Sequence, residues 1–209
     1  MSRHVRKDSQ EKLAIFTIGH STHSLEVFID LLQSHKIDVL LDVRSKPFSR
    51  SSPQFNKEEL EKAVRAKGIK YLFLGKELGG RPQGSEFYDA KGFVLYSRIA
   101  ESPLFVEGID RLIKGIKNYR VTVMCGEENP ANCHRRLLVG WVLAERGAGV
   151  RHIRGDGAIQ EALIHESAFR GYSAFSVAGC SASKSRPVHS YHDRRARGES
   201  SPGIAKSPR

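Results

Sequence analysis

Five short apolar runs, separated by stretches with helical spacing, constrain the fold of this chain more than any other feature of its sequence. Leu13–Ile18, Ile37–Val43, Lys70–Leu74, Val121–Cys125 and Val150–Ile153 have the length of strands and are rich in aliphatic residues, as in strands buried on both faces. After the first run, Leu25, Phe28, Ile29, Leu31 and Leu32 recur at helical spacing behind the capping residues Thr22 and Ser24. Asn56 followed by Glu59 has the form of a capping box opening a helix through Leu60, Ala63 and Val64 to Gly68. Phe93–Ile116 holds one or two helices with a break at Ser102-Pro103, and Leu137–Leu143 is an apolar helical face ending near Gly147. Alternation of strand and helix predicts an α/β domain of three layers: a mostly parallel sheet of about five strands with helices on both faces.

Open parallel sheets bind ligands beyond the carboxyl ends of their strands, so the residues just after each run are the candidates for chemistry. The first run is followed by Gly19, His20, Ser21 and Thr22. The second ends in Asp42-Val43-Arg44, and the third leads to the Gly79-Gly80-Arg81-Pro82 turn. The fourth delivers Cys125-Gly126-Glu127-Glu128, and the next helix opens at Cys133-His134-Arg135. The fifth leads to Arg154-Gly155-Asp156-Gly157. A helix opening on a thiol and two cations predicts an anion site and a thiol pKa drawn downwards. The expected catalytic residues are therefore His20, Asp42, Cys125, Cys133 and His134, with Ser21, Arg44, Arg81, Glu127 and Arg135 on the substrate. Asp42 and Arg44 lie two apart and share a face of their strand, where a structural ion pair competes with catalysis.

Three cysteines, Cys125, Cys133 and Cys180, are too few and too oddly placed for a disulfide framework, and are read as reduced thiols. A metal held by Cys125, Cys133, His134 and His20 is set aside, because C-x7-C-H is not a standard zinc spacing. Neither metal nor cofactor is expected. The charged start lacks the apolar core of a secretory signal, and no apolar run approaches the roughly 18 residues of a membrane span. A cytoplasmic protein without a membrane partner is expected. Net charge is +11, much of it at the ends: residues 181–209 hold seven Lys and Arg against two acidic residues. Residues 179–209, rich in Ser, Arg, Pro and Gly, read as a disordered basic tail, and residues 1–12 as a flexible basic arm. The domain between them spans residues 13–178. His189 and His192 in the tail are read as solvated.

The segments TIGHSTHSLEVFIDLL, LLDVRSKPFSR, LGKELGGRP and VMCGEENPANCHRRLLVGWVLAERG followed by VRHIRGDG together resemble the domain-of-unknown-function family 488 (DUF488) over about residues 14–157. Gly126 stands where that family often has Ala. The resemblance implies a fold and a site but no reaction. A fainter similarity is to rhodanese-like domains, in which a D-x-R strand end precedes a later strand whose terminal Cys opens an anion-binding loop. Here nine residues separate Cys125 from Arg135, a longer loop than such a cradle uses.

Function is read in a ranked order. An enzyme acting on an anionic, phosphate-bearing or nucleotide-like small molecule comes first. A nucleic-acid-binding module using the basic ends comes second, and a non-catalytic small-molecule sensor third. Rhodanese- or phosphatase-like thiol chemistry is a variant of the first.

Overall fold

The computed structural model describes residues 13–162. The N-terminal arm, the basic tail, Cys180, His189 and His192 lie outside the described residues, as does the C-terminal part of the expected domain. Six strands form one sheet: β1 (Ala14–Gly19), β2 (Val39–Asp42), β3 (Lys70–Phe73), β4 (Val121–Cys125), β5 (Gly149–Ile153) and β6 (Ile159–Glu161). Their order is β3-β2-β4-β1-β5-β6, parallel throughout except that β6 runs antiparallel to β5. The five expected strands are all present. β6 adds an edge whose three residues are all exposed, so it carries no apolar alternation from which it could be read.

Alternation of side chains divides the sheet between two cores. Phe16, Ile18, Leu40 and Met124 pack with Phe28, Ile29 and Leu32 of α1 (Leu25–Ser34) and with Leu60 and Val64 of α2 (Lys57–Ala66). Ile15, Val39, Leu41, Val121, Val123 and Val150 face the other way. They pack on α3 (Tyr96–Ala100), α4 (Pro103–Ile116) and the helix that runs as a π-helical turn from Arg135 to Gly140 into α5 (Trp141–Glu145). Three layers result, with helices on both faces.

Local signals account for the helix ends. Ser24 Oγ accepts from the Val27 amide, and Ser102 Oγ caps α4 at Phe105 with Pro103 in the first turn, where its missing N–H costs nothing. The capping box at Asn56 does not form. Asn56 does stand at the N-cap of α2, but its Oδ1 instead accepts from the Ser49 amide at 2.7 Å and ties down the loop after β2.

Topology fixes where a ligand can enter. The connection leaving β1 travels through α1 towards β2 and β3, whereas the one leaving β4 travels the opposite way, past β1 to β5. β1 and β4 are neighbours, so the switch point of the sheet, where ligands bind in open α/β folds, lies at their carboxyl ends. Gly19 and Cys125 are register partners there.

Candidate active site at the ends of β1, β2 and β4

On the α1/α2 side of the switch point, a chain of buried polar groups begins at Asp42, which is fully buried. Its Oδ1 accepts from the backbone amide and Nε of Arg44, both at 3.0 Å. Its Oδ2 accepts from Arg44 Nη2 at 2.7 Å and from the Tyr71 hydroxyl at 2.8 Å. Arg44 Nη2 also donates to the Phe55 carbonyl at 2.8 Å. The carboxylate is thereby taken up within the fold, and the geometry fits the ion-pair role of Asp42 rather than a contact with substrate. Burial of the phenol, and then the charge and hydrogen bond of Asp42, push the Tyr71 hydroxyl far above its usual range, so it stays protonated and donates.

His20 continues the chain. Its ring stacks on Phe55 with centroids 4.3 Å apart. Ser21 takes a left-handed conformation, φ 49, and its carbonyl accepts from His20 Nδ1 at 2.9 Å. A carbonyl can only accept, so the ring proton sits on Nδ1 and Nε2 keeps its lone pair, which faces Arg44 Nη1 at 3.4 Å. Burial, with the Arg44 charge behind it, holds the imidazole below the usual histidine range; the Ser21 carbonyl and the charges of Asp42 and Glu127 only partly oppose this. His20 is thus a neutral base at neutral pH, with a defined tautomer and a fixed orientation.

The α4/α5 side of the switch point carries sulfur. Cys125 and Cys133 are buried and are not joined in a disulfide. Both thiols donate to one carboxylate oxygen, Glu127 Oε2, at 3.1 and 3.3 Å. His134 Nε2–H donates to the Val43 carbonyl at 3.2 Å, which leaves Nδ1 bare at 3.5 Å from Cys125 Sγ and 4.0 Å from Cys133 Sγ. Burial works to raise the Glu127 carboxyl, but the Cys125 thiol, its own backbone amide, the Cys133 thiol and His134 together hold it below its ordinary value. The Cys133 thiol is pushed strongly upwards, by hydrogen bonding with the Cys125 thiol first and burial second. That reverses the expected downward shift at a helix opening. The amides of Arg136 and Leu137 both donate to the carbonyl of Cys133 itself, and the sulfur lies 1% exposed.

Backbone joins the two sides. The His20 amide donates to the Cys125 carbonyl at 3.0 Å and the Ser21 amide to the Gly126 carbonyl at 2.9 Å. Gly19 has to be a glycine at this point, since a Cβ there would run into the Glu127 carbonyl. Arg135, fully buried, donates from Nη1 to the Glu127 carbonyl and from Nη2 to the Glu128 carbonyl at 2.5 Å. The expected fork onto a substrate anion is therefore replaced by a clamp on the loop after β4, because the loop folds back over the guanidinium. Glu128 in turn pairs with Arg154 at 2.7 Å and accepts from the Gly155 amide, tying the loop to the end of β5.

The glycine turn after β3 completes the enclosure. The Arg81 amide donates to Ser45 Oγ at 3.0 Å, which joins this turn to the loop after β2 and leaves the Arg81 side chain exposed. Gly80 lies against the His134 ring: a Cβ there would stand 2.7 Å from Cγ. Gly80→Ala is expected to push His134 off the Val43 carbonyl at a cost of about 1–3 kcal/mol, read as a lower urea midpoint together with a displaced His134 imidazole resonance. An unchanged resonance would count against this packing.

Two residues that the strand-end rule could not supply complete the site, Tyr71 within β3 and Phe55 in the 3-10 turn Pro53–Phe55, while Val43 at the end of β2 contributes through its carbonyl. Tyr71 carried one usable signal, a phenol in an otherwise apolar strand that needs a partner for its hydroxyl.

A match to the family described as domain of unknown function DUF488 spans residues 24–142. It takes in the D-V-R, G-G-R-P and C-x7-C-H motifs and leaves His20 and the end of β5 outside. No curated protein and no solved structure matches the chain, and the similarity to rhodanese-like domains gains no support.

Proposed function

We propose that this chain, which belongs to the DUF488 family, is an enzyme that acts on an anionic, phosphate-bearing or nucleotide-like substrate at the carboxyl ends of β1 and β4. The observation that carries the reading is His20: a buried neutral imidazole with its proton committed to Ser21 and its Nε2 lone pair held at the switch point of the sheet. Burying and orienting a base this tightly serves proton transfer better than it serves packing, since a Phe or Leu would stack on Phe55 without a polar atom to satisfy. Exposed Lys46, Arg50 and Arg81, on the two loops joined through Ser45, supply positive charge for an anion; Arg44 and Arg135 are held inside the fold. Among the described residues no helix is long and apolar enough to cross a membrane.

Phosphate-bearing metabolites and nucleotides, added one by one to the full chain, test this. At least one is expected to shift the His20 imidazole resonances and to be consumed. His20→Gln is expected to slow consumption about 100-fold or more while binding survives. A panel in which nothing moves His20, or full turnover by His20→Gln, would defeat the reading.

A further inference from the structure

We infer that Cys125, Cys133, His134 and Glu127 form a binding site for a zinc-class divalent metal ion at the carboxyl end of β4. The inference stands on these four side chains and needs no assumption about the substrate. Sγ of Cys125, Sγ of Cys133 and a ring nitrogen of His134 all lie within 4.8 Å of one another. Nδ1 is 3.5 and 4.0 Å from the two sulfurs. A tetrahedral ion with Zn–S of about 2.3 Å and Zn–N of about 2.0–2.1 Å holds its sulfur and nitrogen ligands about 3.6 Å apart. Both sulfur–nitrogen separations lie within a few tenths of an ångström of that value. Glu127 Oε2, 3.1 and 3.3 Å from the same sulfurs but outside the compact group of three, is the side chain that would swing in to the fourth corner.

The surroundings are those of a prepared ligand set. A metal-bound imidazole usually donates its other N–H to a carbonyl or carboxylate, and His134 Nε2–H does so to Val43. Gly80 packs on the ring and Arg135 fixes the carbonyls of the Glu127 loop, so two of the four ligands are held from behind. Cysteines buried only to fill a core would face apolar side chains. These two instead face a carboxylate and an imidazole lone pair. Two thiolates, one imidazole and one carboxylate suit zinc and its neighbours and reject magnesium and calcium, which take oxygen ligands. Three of the ligands are buried or half-buried, whereas Glu127 is exposed. Glu127 also lies outside the compact Cys125–Cys133–His134 group, so the fourth position is the exchangeable one, as in catalytic zinc sites.

Spacing hid this site. C-x7-C-H places its cysteines at the end of a strand and beyond a 3-10 turn, Pro130–Asn132, rather than on one knuckle, and the fourth donor lies between them.

On binding, each thiol loses its proton to solvent as its sulfur bonds to the ion, with no change of oxidation state. Reduced, chelator-treated full-length chain titrated with Co2+ is expected to take up one equivalent with thiolate-to-cobalt charge-transfer absorption and release of about two protons. Zn2+ should then displace the cobalt. Cys125→Ala and Cys133→Ala are expected to abolish the absorption and to weaken Zn2+ by more than the ~10–100-fold that loss of a supporting residue costs. Glu127→Gln should retain the absorption with weaker affinity, and Cys180→Ser should leave both unchanged. Folded wild-type chain without thiolate–cobalt absorption overturns the inference, as does absorption that survives either alanine variant or disappears with Cys180→Ser. If the alanine variants do not fold, the wild-type spectrum and the Cys180→Ser spectrum decide. Phosphate-dependent shifts of His20 are a separate readout, so failure of the metal site and failure of the substrate reading can be told apart.

Discussion

Asp42→Ala is expected to lower the unfolding free energy by about 3–5 kcal/mol, the cost of leaving a buried charge without its partner. Arg44 is 8% exposed and Asp42 0%, so solvent cannot substitute for the carboxylate. The Tyr71 hydroxyl loses its acceptor in the same step. Urea unfolding of both proteins checks the figure; a loss under about 1 kcal/mol, as for an exposed pair, would mean that the pair is not insulated. A second variant separates stability from function. Replacing both partners with apolar residues of similar size, Asp42→Leu with Arg44→Met, removes the desolvation penalty together with the attraction and should recover most of the lost stability. It should not recover activity, because Arg44 is the group that faces His20 Nε2 and helps keep the imidazole neutral. Full activity in that double variant would strip Arg44 of its place in the site.

The same pair shows how far the sequence could be read. Residues at i and i+2 of an extended chain lean to one side, which left Asp42 and Arg44 open either to pairing or to a shared catalytic role, and the structure shows the pair at the end of β2. The strands were legible because strands buried between two helical layers must be apolar, and β6 was not because an exposed three-residue edge obeys no such rule. Arg135 was legible as a cation beside the site but not as a clamp. Its direction depends on how the Glu127–Glu128 loop folds back, and that follows from the Glu128–Arg154 pair twenty-six residues away in sequence. The thiol cluster shows the same limit. Motif spacing describes ligands that share one local turn, whereas here a strand end and a separate helix opening are brought together by the sheet. Local chemistry is readable from the chain; convergence is readable only once the topology is known.

Acidification is expected to remove roughly 3 kcal/mol of stability through His152 as the pH falls from about 6.5 to about 4. His152 sits on β5, fully buried, with Nδ1 2.7 Å from Thr17 Oγ1 on β1 and with no partner for Nε2 among the described residues. Burial first, and then the charges of Arg135, Arg136 and Arg154, hold its pKa down to about 4, against 6.5 for an ordinary histidine. Between those values the unfolded chain binds a proton that the native state refuses, so stability rises with pH across the interval. The contribution is intact above 6.5, is lost progressively on the way down, and changes no further below 4. His152→Gln, which can still bond Thr17, should flatten this dependence in urea titrations at several pH values. Equal slopes for the two proteins would assign the acid loss to other groups. The effect should also reach the site before the chain unfolds. A protonated His152 lies within the field of Arg135, whose guanidinium holds the carbonyls of Glu127 and Glu128. Amide exchange of residues 126–129 is therefore expected to quicken as the pH approaches 4 in the wild type, relative to His152→Gln at the same pH.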